Sequence, residues 1–446
     1  MHIDVVTRSL FRRWRLRSRE VWTESSLAAH QAQATEDLRA FAVDRSPFYR
    51  EVHRGLVAEP LHELPVLTKS ILMDEFDRIS TAPSLHLGDV KRSLDELPPD
   101  GRLRRKYWVT ASSGTSGRRT ILAADAFEWS TIVASYLRAL EWAGVEARLG
   151  ATLRIAIVSS TTPWHPTARV AATIDSPLLR TLAIDARAEV AETVSSLNHF
   201  QPDVLVAYAS MMDALASEQV RGKLSIAPRS LVSFAEVLTA DERRRAEEAF
   251  QAPVFQFYST AETGVIAAEC SFHRGMHVFE DLFVTENVDE NAHPVAVGTI
   301  GDRLLVTALS SRTLPLIRYE LTDRVRIAPD RCPCGRPFKL ISEIEGRTDE
   351  VLRLEGRGTS TVDVHPVVFH RVLDARYGSG WQVRQRGARL EVLVTGPDSE
   401  AAHSLRHELD EAGVGAVPLD VRAVSTIPAG SAGKRPFVVV LERRSP

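Results

Sequence analysis

The chain has 446 residues, 44% hydrophobic and 25% charged. At about 100–200 residues per domain this gives two to three domains, or one large domain with a smaller companion, and it excludes wholesale disorder. A formal net charge of −3 argues against broad electrostatic binding to nucleic acid, and no apolar run approaches the roughly 20 residues of a membrane helix.

The first segment carries Arg8, Arg12, Arg13, Arg15, Arg17 and Arg19 with no apolar stretch behind them. This is not a signal-peptide pattern, so a cytoplasmic protein is expected. The arginines read as a solvated basic helix face, with membrane-surface or nucleic-acid contact as the weaker alternative. From Leu10 to about His53 the periodicity is helical, with Trp14, Leu27, Leu38 and Phe41 as expected buried positions and a break at Pro47. Leu64–Lys69 reads as a turn into another helix.

From Trp108 onward strand-like and helix-like runs alternate. Leu153–Val158 and Asp203–Tyr208 read as strands, Ala188–Phe200 and Asp241–Phe250 as helices. That alternation predicts an α/β region with a covered sheet. After Leu304 the pattern turns β-rich, through Leu305–Thr307 and Val325–Ile327. A second unit of roughly 95 residues starts near Gly346–Glu350. It holds a helix near Pro366–Leu373, strands at Gln382–Arg386 and Arg389–Val394, a helix at Ser399–Ala412, and strands at Val417–Ala423 and Phe437–Leu441. The predicted organisation is a large α/β domain over 1–346, with a helical N-terminal segment, and a small mobile α+β domain over 347–446. No repeat or low-complexity linker intervenes, so the junction is expected to be a short hinge.

Five segments carry chemistry. Thr110–Thr120 contains Ser113, Gly114, Thr115, Ser116 and Gly117 between two apolar strand candidates. Such a loop offers backbone N–H groups and hydroxyls to phosphate oxygens, yet it lacks the spacing and lysine of a Walker loop and reads equally as a flexible turn. Ser233–Thr239 (with Ala235 and Glu236) and Val254–Gly264 (with Tyr258, Ser259, Thr260 and Glu262) suit base stacking and Mg²⁺ binding near phosphates. Taken alone, Tyr258 and Glu262 are also an ordinary structural aromatic and a surface acid. Asp323, after Leu314–Thr322, can accept hydrogen bonds from two ribose hydroxyls or merely cap a turn. Ile344–Val351 contains Arg347 and Asp349. Pro428–Arg435 places Lys434, the only lysine after Lys339, in a Gly/Ser/Ala loop. There it can reach a developing charge or stay solvated.

Together, in this order, the five segments resemble the adenylate-forming enzymes of the acyl-CoA synthetase superfamily, in the phenylacetate–coenzyme A ligase and CapK-like branch. The resemblance runs from Ser46-Pro47-Phe48-Tyr49 to Lys434. It implies that Ser113–Gly117 grips the ATP phosphates, that Ala235, Glu236 and Tyr258–Thr260 form the nucleotide pocket, and that Glu262 binds Mg²⁺. It further implies that Asp323 holds the ribose, Arg347 contacts the nucleotide, Asp349 is the hinge, and Lys434 is catalytic in adenylation, with Glu262. Three positions depart from the family pattern: Ala261 before Glu262, Leu321 before Thr322-Asp323, and Arg118-Arg119 after the loop.

Cysteine usage is sparse: Cys270, Cys332 and Cys334. A C-x-C turn plus one upstream cysteine and a histidine make a Cys3His set typical of structural zinc, against three unrelated thiols. The branch's Gly-Leu/Met-His pattern favours His277 over His273 as the fourth ligand. The implied activity is ATP-dependent activation of an aryl or other planar carboxylic acid, then transfer to coenzyme A. The acyl pocket is expected around Asp203–Met212, Phe234–Glu236 and Tyr258–Gly264, with Thr162–Pro166 covering it. The alternatives are transfer to a carrier protein or amine in natural-product biosynthesis, activation of a non-carboxylate group, and a non-catalytic scaffold. No nucleic-acid or membrane partner is expected; a homodimer stays open.

Overall fold

The computed structural model describes residues 3–112, 119–146, 151–358, 361–378, 380–397, 401–430 and 433–442. Its centre is a nine-stranded sheet. Leu179–Asp185, Leu153–Ser159, Val204–Ala207, Ser230–Phe234 and Val254–Thr260 lie side by side in that order and run parallel. Gly264–Glu269, Met276–Val278, Leu340–Arg347 and Asp323–Ile327 continue the sheet antiparallel. Ser230–Phe234 is buried along its whole length, as expected for a parallel strand covered on both faces. The crossovers are the helices Pro166–Ile174, Val190–Phe200, Ala209–Val220 and Ala240–Phe250. A three-stranded sheet, Phe283–Val288, Arg303–Ala308 and Tyr319–Leu321, leads directly into the large one through Thr322.

A separate apolar core runs from Leu352 to Val438. It is built on a four-stranded sheet in the order Leu419–Ala423, Arg389–Val394, Trp381–Arg386 and Val438–Glu442, covered by the helices Pro366–Tyr377 and Ala401–Glu411. The main core draws on residues from Leu16 to Ile341.

The N-terminal segment departs from its expected reading. Its helical stretch is divided into Ile3–Arg19, Glu24–Arg45 and Pro47–Val52, the second capped by Thr23, whose hydroxyl accepts the Ser26 N–H. Leu27 and Leu38 are buried, but Trp14 is 67% exposed and stacks on the equally outward Phe11. The covered face of that first helix is Val5, Ser9, Arg13 and Leu16. Nor are its arginines uniformly solvated. Arg13 is buried and pairs with Glu20 at 2.8 Å and with Glu141.

The helix Ala126–Trp142 anchors this segment to the sheet. Arg138, fully buried, donates both Nη groups to Asp281 at 2.7 and 2.8 Å and one to the Leu16 carbonyl at 3.3 Å. Arg138→Ala strands a buried carboxylate and is expected to cost about 3–5 kcal/mol, read as a lower urea midpoint at unchanged slope. Pairing Arg138→Met with Asp281→Leu is expected to recover most of that loss.

Candidate active site

The carboxyl ends of parallel strands gather loops at one edge of an α/β sheet, where ligands bind. Here Ser160, Tyr208, Ala235–Glu236 and Thr260–Glu262 all leave the parallel strands at that edge. Ala235 holds a left-handed φ of 64°, turning the chain sharply after Phe234. A cleft at this edge is lined by Phe234, Thr260, Glu262, Asp323, Arg347 and Lys434, with Ala235 and Ser259 beside them.

One side is a connected polar chain. The Tyr258 hydroxyl donates to Asp323 Oδ2 at 2.9 Å, and Arg347 Nε donates to Asp323 Oδ1 at 3.3 Å. Burial and the adjacent Asp323 hold the Tyr258 phenol far above its usual pKa, so it remains a donor. Tyr319 donates to Glu262 Oε1 at 3.2 Å, and the Glu262 N–H reaches Thr260 Oγ1 at 3.3 Å.

Lys434 enters from the opposite side, on the loop of the C-terminal unit. Its Nζ sits 5.7 Å above the Tyr208 ring. Burial, then the charge of Arg347, pushes its pKa down to about 8, against the pull of Glu236, Asp323 and Glu262. Glu236 fixes the loop: it accepts the backbone N–H of Arg435 and that of Ser210, each at 2.9 Å. Gly433 passes so close to Ala186 that a Cβ would lie 2.8 Å from its methyl, at a φ of 78°. Thus Glu236, expected in the nucleotide and acyl pockets, also ties two units of the chain together.

Ser113–Gly117 lies outside the described residues. Its flanks are pinned by Ser112 N–H to the Thr120 carbonyl and Thr120 N–H to Ser112 Oγ, both 2.9 Å. Asp349 lies in the 3-10 turn Thr348–Glu350, directly after the strand that ends at Arg347. The Thr162–Pro166 segment divides: Trp164 is buried with Nε1 on Asp95 at 3.0 Å, while His165 and Pro166 line the cleft. Burial and the Lys434 charge push His165 down to about 3, leaving it neutral. Asp203 lies away from the site; it accepts the Arg154 N–H at the amino end of the parallel strands.

Sequence reasoning gave no role to Tyr319 or Lys69, which line this cleft, and named Tyr208 and His165 only as members of the expected acyl-pocket and covering segments, where the one lies under Lys434 and the other lines the cleft. Tyr319 had one available signal, its even spacing from Asp323 along an extended chain.

The second cluster lies further along the antiparallel half. Ligand atoms of Cys270, His277, Cys332 and Cys334 fall within 4.8 Å of one another. Cys270 and Cys332 sulfurs are 3.6 Å apart, and Cys334 Sγ is 3.3 Å from His277 Nε2. Two sulfurs each about 2.3 Å from a tetrahedral ion lie about 3.8 Å apart, so the spacing fits one zinc ion and is too long for a disulfide. His273 faces Glu269 and the Phe255 ring instead.

No protein-family model matches the chain. It is 27% identical over 375 residues to the phenylacetate–coenzyme A ligase of Thermus thermophilus, covering 79% of this chain and 76% of that one. Against the CapK protein of Staphylococcus aureus identity is 23% over 352 residues, covering 74% and 70%. The solved structure of a 2-hydroxyisobutyryl-CoA ligase in complex with 2-HIB-AMP matches it with a TM-score of 0.71 at 20% identity, covering 96% of this chain and 91% of that one. That likeness is one of fold.

The Glu236 tie is measurable. In hydrogen exchange followed by NMR or fragment mass spectrometry, the Arg435 amide is expected to be protected. Glu236→Ala should release it at least tenfold while the buried strand Ser230–Phe234 keeps its protection.

Proposed function

We propose that the chain is an AMP-forming ligase of the adenylate-forming superfamily, in the phenylacetate–coenzyme A ligase and CapK-like branch, a reading its similarity to those proteins supports. It activates a carboxylic acid, aryl or otherwise planar, as the acyl-adenylate and passes the acyl group to coenzyme A. The observation that carries this reading is the convergence of Lys434, Glu262, Asp323 and Arg347 on one cleft. The rings of Tyr136 and Phe234 at that cleft favour a planar substrate.

A carboxylate is a poor acyl donor because oxide is its leaving group. Attack on the α-phosphate of ATP gives the mixed anhydride and releases pyrophosphate. In the proposed arrangement Asp323 receives the ribose hydroxyls while Tyr258 fixes its orientation. Ser113–Gly117 would hold the phosphates, and Ala235, Glu236, Ser259 and Thr260 would flank the nucleotide. Lys434 places an ammonium between the carboxylate and the α-phosphate, where negative charge meets in the transition state. Glu262 offers the hard oxygen ligand that Mg²⁺ prefers, and that ion, when bound, would neutralise phosphate charge. Rotation about Asp349 would then withdraw Lys434 and open the acyl carbonyl to the thiol, with AMP leaving.

The test is ATP–pyrophosphate exchange with aromatic and aliphatic acids, coenzyme A omitted. An aromatic acid is expected to drive exchange; silence across the panel from protein that binds ATP would overturn the proposal. Lys434→Ala should lower exchange roughly 10²–10³-fold while ATP affinity stays within about threefold. The ammonium is complete below its pKa and lost above it, so kcat/KM should fall as pH rises through about 8. Lys434→Arg should move that alkaline limb upward.

We further propose that the Cys270–His277–Cys332–Cys334 set holds one structural zinc, four protein ligands leaving no open position. Metal analysis should find one zinc per chain, and the double replacement of Cys332 and Cys334 by serine should remove it and lower Tm. Zinc content unaffected by that replacement would exclude the site.

A further inference from the structure

A second cavity, of about 540 Å³, lies between the two N-terminal helices and the start of Ala126–Trp142. It shares no residue with the cleft that holds Lys434. Its volume is that of a small-molecule site, which typically encloses about 300–1,000 Å³. Arg12, Arg15, Arg19 and Arg312 line it, together with Phe41 and Phe127. The Arg12 guanidinium lies 3.7 Å over the Phe127 ring and that of Arg312 lies 5.3 Å from Phe41.

Two carboxylates, Asp125 and Asp281, also reach this cavity, and both are committed. Asp125 caps the helix, accepting the N–H groups of Phe127 at 2.8 Å and Glu128 at 2.9 Å. Asp281 receives both Nη groups of Arg138, with Arg19 3.6 Å away. Among the described residues no carboxylate comes within ion-pair distance of Arg12, Arg15 or Arg312. Arg12 spends Nε on Ser130 at 2.7 Å, and Arg312 uses one Nη on the carbonyls of Leu309 and Ser311. Burial and the neighbouring Arg15 and Arg8 lower the Arg12 pKa, against the opposing pull of Asp125.

We propose that this cavity binds an amphipathic organic anion, its oxyanion group among Arg12, Arg15 and Arg312 and its apolar body on Phe41 and Phe127. Guanidinium donors with vacant N–H groups match an oxyanion in geometry and charge, and the rings supply apolar contact beside them. The site is independent of the ligase reading, since it uses none of that cleft's residues.

The probe is 8-anilinonaphthalene-1-sulfonate, titrated into the full chain by fluorescence. Saturable one-to-one binding is expected. Arg15→Gln, at an exposed position with no ion-pair partner among the described residues, should weaken it at least threefold, and Arg12→Gln with Arg15→Gln at least tenfold. The uncharged analogue N-phenyl-1-naphthylamine should bind at least tenfold more weakly than the sulfonate. Octyl phosphate and octanoate should each displace the probe, their relative strength telling phosphate from carboxylate. Affinity unchanged in Arg15→Gln and in the double variant, equal binding of the uncharged analogue, or no saturable binding would each overturn the proposal.

Discussion

An ammonium taken out of water must be met by charge, and the burial of Lys434 sets that condition for the whole site. Desolvating an ion costs several kcal/mol even after relaxation. The Tyr208 face beneath the ammonium returns about 0.5–2 kcal/mol of that. The remainder falls to Glu236, Asp323 and Glu262, working against Arg347. These three acids come from the ends of two parallel strands and from the antiparallel edge, so the balance exists only where the sheet brings those ends together. It also exists only while the C-terminal loop is docked. The Arg435 N–H on Glu236, itself oriented by the Ser210 N–H, and the tight passage of Gly433 past Ala186 hold that loop. Such a junction is modest beside either apolar core.

The order of strands explains why the polar chain Tyr258–Asp323–Arg347 can form. Val254–Thr260 is the last parallel strand, and the chain then reverses into Gly264–Glu269. Gly264 makes that reversal with a φ of 79° and no room for a Cβ, which would lie 2.9 Å from Ile132 Cγ2. The reversal starts the antiparallel half, and its outer pair, Leu340–Arg347 with Asp323–Ile327, registers Arg347 opposite Asp323. Nothing local to Tyr258 specifies its partner 65 residues away; the register does.

The same distinction separates what the sequence made legible from what it did not. Periodicity located the strands Leu153–Ser159 and Arg389–Val394 and the helices Ala240–Phe250 and Pro366–Tyr377, because each carries its own apolar repeat. Spacing around Cys332-Pro333-Cys334 pointed to a cluster with Cys270 and one histidine, the resemblance favoured His277 over His273, and in the geometry His277 joins the cluster while His273 does not. Periodicity failed in the first helix, where Trp14 and Arg13 exchange their expected environments. A helical repeat shows that one face is apolar, but long-range partners decide which face is covered, and here Glu20 and Glu141 draw Arg13 inward. Glu236 is a similar case: its two bonds join chain positions 26 and 199 residues distant. No local pattern encodes a contact of that span.

The Cys/His cluster and the cleft are joined by a single strand. Leu340 pairs with His277 at one end of Leu340–Arg347, and Arg347 meets Asp323 at the other. Seven residue steps at about 3.3 Å put these ends roughly 23 Å apart, too far for any direct electrostatic effect of a metal on the cleft through screened solvent. What crosses that distance is position. Met276–Val278 fixes one end of the strand by two register pairs only, Leu340 with His277 and Ile341 with Met276. Cross-linking Cys270 and His277 to Cys332 and Cys334 would add a constraint at the point where the sheet is most weakly paired. A structural metal there would steady the strand that presents Arg347, immediately before the turn at which the C-terminal unit begins.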